Sequence, residues 1–187
     1  MRFQMKGFTV FGMYLLAVFS LLIAGTGAGE SPGNSSAGNV STKPAKGSAK
    51  PGRFSVQPIA DTWAKQYKLP SSFFEKGLMV EDILIATSGR ISDHAILESA
   101  YLFEKMMKSI APEVAERIRK RKVLCILVGH SELTSNIPQF KTPKTGKELD
   151  FYNWRSRGFL TWKTGRPTVF FAEEDVLEFE GGMQIES

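Results

Sequence analysis

The hydrophobic and polar positions of this chain fall into blocks with different periods. From Ile96, the residues Ile96, Ser99, Ala100, Phe103 and Met107 recur at three- and four-residue spacing, and Leu102 and Met106 broaden the stripe. That spacing predicts an amphipathic helix ending near Ser109. Ser92 supplies an N-cap oxygen, and Asp93 puts a negative charge in the first turn, where the helix dipole favours it. Pro112 suits the first turn of a second helix, which carries Val114, Ala115 and Ile118 on one side. That helix ends in Arg117, Arg119, Lys120, Arg121 and Lys122, with cations at the C-terminus as the dipole prefers. The cluster reads as a solvated helix end, with a phosphate or lipid-headgroup site as the alternative.

Continuous apolar runs mark the strands. Val123–Val128 is short and rich in β-branched residues, as expected of a buried strand. Val80–Ala86, apolar apart from Glu81-Asp82, predicts another strand, broken by Ser88-Gly89, and Pro167–Ala172 predicts a third. Ile59, Trp63 and Tyr67 share a helical face, and the Leu69-Pro70 step ends that helix, because proline disfavours helical geometry in the residue before it. Gly129–Gly146 is loop-like, Asp150–Trp154 is short and aromatic-rich, and Glu173–Glu180 is strongly acidic. Strands alternating with helices predict an α/β fold: a small mixed sheet with helices packed on it. The two helices between residues 80 and 128 are long enough for a parallel crossover.

The ends of the chain follow other patterns. Arg2 and Lys6 precede an uncharged, mostly apolar run over Gly7–Ala24, and Thr26-Gly27-Ala28 offers a cleavage site. This is the layout of a secretory signal peptide over residues 1–28, with an uncleaved N-terminal anchor as the alternative. Either way the remainder is expected across the membrane: periplasmic, secreted or envelope-associated. Gly29–Arg53 is built from Gly, Ser, Pro, Asn, Thr, Ala and Lys, so it has little to bury and is expected to be a disordered tether. It contains two glycosylation-type patterns, beginning at Asn34 and Asn39. Residues 54–187 then suffice for one core.

Charge and cysteine narrow the classes. Six of the 24 basic residues and one of the 19 acidic residues precede residue 54, which leaves 18 of each sign on the predicted fold. A nucleic-acid-binding domain keeps its positive charge on the fold, so no nucleic-acid partner is expected, and the membrane enters only through an uncleaved N-terminal segment. Cys125 is the sole cysteine, so no intramolecular disulfide can form. Between Leu124 and Ile126 it reads as a small buried hydrophobe.

Chemistry-bearing residues are few. His94 and His130 are 36 residues apart on different elements, unlike the paired histidines of one zinc-binding helix. Ser131 beside His130 lacks the G-x-S-x-G setting of a nucleophile. Glu173-Glu174 could form an acid/base pair, although a solvated acidic segment facing the basic cluster is the plainer reading.

Several segments together resemble a known family. Ile91-Ser92-Asp93-His94-Ala95-Ile96-Leu97-Glu98-Ser99-Ala100-Tyr101 is similar to the V-S-D-x-A-L-L-E-A-A-Y segment of a group of secreted bacterial and fungal proteins with a zinc-metallopeptidase-like second half. Ser131-Glu132-Leu133-Thr134 with Ile137-Pro138, then Tyr152-Asn153-Trp154-Arg155-Ser156-Arg157-Gly158, then Ala172-Glu173-Glu174-Asp175-Val176-Leu177 resemble later segments of that family in the same order. The sequence departs from the family at Phe170-Phe171-Ala172, where a cysteine is common, and at Phe159-Leu160-Thr161-Trp162, where glycine is.

The family's zinc ligands lie on an H-E-x-x-H helix soon after the paired glutamates. The sequence through Ser187 has no matching positions, so no catalytic residue, metal ligand or cofactor is carried over, and zinc is expected only if a longer product exists. The resemblance puts Glu173 and Glu174 near the mouth of a cleft, and His130 joins them from its place after a strand end. Three readings follow. The first is an exported protein like the family's non-catalytic N-terminal half, binding an unknown protein or peptide. The second is a zinc-dependent hydrolase or peptidase whose catalytic half is missing. The third is an envelope binding domain on a tether.

Overall fold

The computed structural model describes residues 53–177. The leader and almost all of the tether expected from the sequence, like the end of the acidic segment from residue 178, lie outside the described residues.

The fold is α/β. A mixed six-stranded sheet has the order β1-β2-β3-β4-β6-β5. Its strands are β1 (Gln57–Pro58), β2 (Lys76–Val80), β3 (Ile83–Thr87), β4 (Leu124–Val128), β5 (Phe159–Thr161) and β6 (Thr168–Ala172). Strands β3, β4 and β6 are parallel, whereas β1, β2 and β5 pair antiparallel with their neighbours. Five helices accompany the sheet among the described residues: α1 (Asp61–Tyr67), α2 (Asp93–Ser109), α3 (Pro112–Lys120), α4 (Gly146–Arg155) and α5 (Glu173–Leu177). The predicted crossover is present, since α2 and α3 link the parallel strands β3 and β4.

The parallel strands are buried on both faces, which is why they read as unbroken apolar runs. Leu84, Ala86, Leu124, Ile126, Val128, Phe170 and Ala172 form one cluster with Tyr67, Leu69, Phe74, Ile137 and Phe140. Ile83, Ile85, Cys125, Leu127, Val169 and Phe171 alternate with them and are equally buried. The stripe of α2 is buried at Ala95, Ile96, Ser99, Ala100, Phe103 and Met107, as its spacing predicts, and α2 lies against β2, β3 and α5. Ser92 caps it, its Oγ accepting the His94 N–H at 3.2 Å. Cys125 is fully buried, and burial pushes its thiol well above the usual range.

Two expectations are corrected. The single strand over Val80–Ala86 is the end of β2, a two-residue turn at Glu81-Asp82, and β3. Both turn residues have positive φ, 50° and 62°, as the tight hairpin turn matching strand twist requires. That turn usually announces itself as Asn-Gly, and here two acidic residues occupy it. Arg119 holds Glu81 at 2.6 Å and Lys122 holds Asp82 at 2.9 Å. These two residues of the basic cluster thus fasten the turn. The second correction concerns Glu173-Glu174. They open helix α5 and are buried, instead of lying in a solvated segment facing the basic cluster.

Close backbone approach fixes one glycine in the sheet. A Cβ on Gly77 in β2 would lie 2.3 Å from the Ile85 carbonyl oxygen and 2.9 Å from Ile59 Cδ1, so no side chain fits there.

Candidate functional site

Because β3, β4 and β6 are parallel neighbours, their carboxyl ends open at one edge, where α/β sheets usually bind ligands. The loops leaving β3 and β4 carry Ser88 and Gly129–Glu132, and helix α5, which follows β6 directly, begins with Glu173-Glu174. Three buried glutamates meet there, and each of their oxygens receives a donor.

Glu132 Oε1 accepts the Ser88 hydroxyl at 2.7 Å, and its Oε2 accepts the Gly129 N–H at 2.8 Å. Glu173 Oε1 accepts the Ser92 N–H at 2.7 Å, and its Oε2 accepts the His130 N–H at 3.4 Å. Glu174 is gripped by Arg157, whose Nε donates to Oε1 at 2.5 Å and whose Nη2 donates to Oε2 at 2.9 Å. The same guanidinium donates through Nη1 to the Glu132 carbonyl at 2.9 Å and through Nη2 to the Gly129 carbonyl at 3.0 Å. One arginine therefore ties the loop after β4 to the start of α5. Charge-assisted, two-pronged contacts of this kind are the strong class of hydrogen bond.

Beside this network is an open groove of about 410 Å³. Arg157 and Glu174 form its buried end, with side chains 12% and 9% exposed. One wall is the stretch from His130 to Leu133, and the other is the face of α4 bearing Asp150, Asn153 and Trp154. Helix α4 is fixed from within: Asn153 Oδ1 accepts the Ser135 N–H at 2.9 Å, and the Tyr152 hydroxyl donates to the Phe140 carbonyl at 3.1 Å. That orientation turns Trp154 and Phe151 outward, 58% and 62% exposed, with ring centroids 5.8 Å apart. Leu133, also exposed, adds apolar surface on the opposite wall.

The residues proposed from sequence are placed differently from one another. His130 and Glu174 line the groove, with His130 Nδ1 3.9 Å from Glu174 Oε2. Glu173 is not among the residues bordering it, its carboxylate being spent on the Ser92 and His130 amides. His94 sits in the first turn of α2, within the span of that helix. Arg157 and Glu132 are the residues that sequence reasoning missed as site residues. Both lay in the quoted segments, but nothing in the spacing distinguished Arg157 from Arg155, or marked Glu132 as buried.

No protein-family model, curated protein or solved structure matches this chain. Among the described residues no three His, Cys, Asp or Glu side chains gather in a way that could hold a metal ion.

Asp175 gives the site a pH signature. Burial, and then the neighbouring Glu174 charge, raise its pKa to about 6, with Arg157 opposing. A carboxyl whose folded pKa exceeds its unfolded value near 3.8 binds its proton more tightly in the fold. Its contribution to stability is complete below about 3.8 and is lost as the pH rises through about 6. Asp175→Asn is therefore expected to raise the melting temperature at pH 8 relative to the wild type and to leave it unchanged near pH 3.5. Because the carboxyl is only partly buried, solvent screening holds the gain to about 1 kcal/mol.

Proposed function

We propose that this domain is an exported polypeptide-binding module, resembling the non-catalytic N-terminal half of a zinc-metallopeptidase-like protein, and that its groove holds a ligand without transforming it. The observation that carries the reading is that Glu132, Glu173 and Glu174 are each held by the protein through both carboxylate oxygens. All six carboxylate oxygens accept hydrogen bonds from Ser88, from Arg157 or from the backbone. A general base must be placed to reach a substrate proton, and these three carboxylates are each held in position by two donors of the protein itself. What the groove presents outward is Trp154 and Leu133, with Asp150 and His130 between polar and apolar surface. An aromatic anchor in a partly polar groove suits an extended peptide.

The order of the family-like segments favours a second reading, in which the same scaffold belongs to a zinc-dependent hydrolase whose metal ligands lie on another segment. Here too the groove would hold the substrate chain. A tethered envelope domain with an unrelated ligand is the third reading.

Binding is tested with fluorescein-labelled casein, a natively unfolded probe, followed by anisotropy. A saturable rise is expected, weakened at least tenfold in Trp154→Ala, whose exposed position leaves folding intact. Equal binding by the variant, or none by the wild type, would remove the peptide groove from consideration. Casein cleavage that depends on added zinc would favour the hydrolase reading.

A further inference from the structure

The two edges of the sheet are unlike. The β1 edge is two residues long and contains Pro58, which has no N–H to offer a neighbour. Short length and proline are how natural edge strands avoid further pairing. The β5 edge, Phe159–Thr161, carries neither proline nor charge. Among the described residues no strand lies beyond it.

The register shows which groups that edge offers. The Pro167 carbonyl accepts the Leu124 N–H at 3.0 Å, so position 167, and with it 169, turns its hydrogen-bonding groups toward β4. Thr168 and Phe170 therefore turn theirs toward β5, where they face Thr161 and Phe159. Leu160, between those two, presents its N–H and C=O outward. Gly158 lies on the same side two residues earlier, and Trp162 two residues later.

Gly158 is a second observation, independent of the first. A Cβ there would meet nothing nearer than the Phe170 carbonyl oxygen at 3.9 Å, so packing within the chain does not call for glycine. Trp162, past the other end of β5, is 45% exposed, and the Arg121 guanidinium lies 5.6 Å from its ring centroid and steadies it.

We infer that the β5 edge pairs with the β5 edge of a second copy of this chain, antiparallel, about a two-fold axis at Leu160. Each Leu160 then exchanges both backbone hydrogen bonds with its counterpart, and Gly158 faces the partner's Trp162. Opposed residues share a face of the paired strands, so the indole covers the glycine, where any larger residue would crowd it. The half-buried Leu160 side chains meet beside the axis. Charge selects the antiparallel direction. At the carboxyl end of the parallel strands Glu132, Glu173, Glu174 and Asp175 outnumber Arg157, whereas at the amino end Arg121, Lys122, Lys163 and Arg166 outnumber Asp82. Antiparallel pairing sets the acidic end of one sheet beside the basic end of the other, and parallel pairing would set like ends together. An unrelated peptide on this edge would take the Leu160 hydrogen bonds but bring no fixed tryptophan to Gly158. The pairing does not depend on what the groove holds.

The test is sedimentation equilibrium of the full chain, with amide hydrogen exchange read at Leu160. A reversible dimer is expected below about 500 µM, with exchange at Leu160 slowed at least tenfold as it forms. Leu160→Pro removes an outward donor and no internal bond, and Gly158→Val has room within its own chain. Both should weaken the dimer at least tenfold and leave the melting temperature of the dilute protein unchanged. Raising salt from about 50 mM to about 500 mM should weaken it severalfold. A monomer throughout, a dimer undiminished in folded Leu160→Pro or Gly158→Val, or association indifferent to salt would each overturn the assignment. Protection of the Leu160 amide by casein in a chain that stays monomeric would overturn it too, giving the edge to an extended polypeptide.

Discussion

Replacing Arg157 with alanine is expected to destabilise the fold by about 3–5 kcal/mol, the range for breaking a buried ion pair from one side. The guanidinium is 12% exposed and its partner Glu174 9%, so both are largely withdrawn from water. Truncation leaves the Glu174 carboxylate buried without its cation, and it also strips donors from the Glu132 and Gly129 carbonyls. Lysine should recover little, because a single ammonium cannot reproduce two parallel donors to Glu174 and two more to the loop after β4. The measurement is urea unfolding: the midpoint should fall sharply while the slope stays constant. An Arg157→Leu/Glu174→Leu double variant should be far less damaged than Arg157→Ala, because it removes the charge together with its partner. If the double variant were as unstable as the single one, the bonds to the two carbonyls would be the larger part of what Arg157 does.

The second large effect is expected at Phe170, where alanine should cost about 3–5 kcal/mol. Phe170 is fully buried in the middle of β6, between Ile126 of β4 and Phe159 of β5 in the sheet register. Its ring meets Phe140 edge-on at 5.1 Å and Phe159 at 4.8 Å, so truncation leaves a void bounded by two large rings. A leucine there should retain much of the stability, because it fills part of the volume with a favourable rotamer. The effect reaches the groove as well. Phe140 carries the carbonyl that receives the Tyr152 hydroxyl and so holds α4 in place. Loss of the Phe170 ring is thus expected to loosen the wall bearing Trp154, seen as altered tryptophan fluorescence below the unfolding transition.

The sequence was most informative where one physical rule acts alone. The stripe of α2, its Ser92 cap, Pro112 at the start of α3 and the apolar runs of β4 and β6 all follow from local pattern and are present. It was least informative where a tertiary contact overrides the local preference. Glu81-Asp82 carries no turn signature, because ion pairs from Arg119 and Lys122 accompany a backbone that asparagine and glycine would adopt more readily. Helix α4 was hidden because its outward face carries Phe151 and Trp154, which blurs the apolar-in, polar-out period. Strands β1 and β5 have two and three residues, too short for any period to show. At the site, the places of His130 and Glu174 after strand ends were legible from the apolar runs that precede them. The burial of Glu132 and the hub role of Arg157 were not, since both depend on loops brought together by strand pairing.

The way Arg157 and the three glutamates are assembled also bears on the order in which the molecule forms. Ser92 and Glu173 are 81 residues apart, Ser88 and Glu132 44, and Gly129 and Arg157 28. Such closures carry a large loop entropy that must be met before any of these contacts is rewarded, which makes non-local pairing slow. The β2–β3 hairpin and the α2–α3 unit are local and can form early, whereas the glutamate network must wait for β6 to dock beside β4. A refolding chain should therefore regain most of its helical circular dichroism before the Trp154 environment matures. The groove would then be the last part of the molecule to exist, and its fluorescence would report that folding is finished.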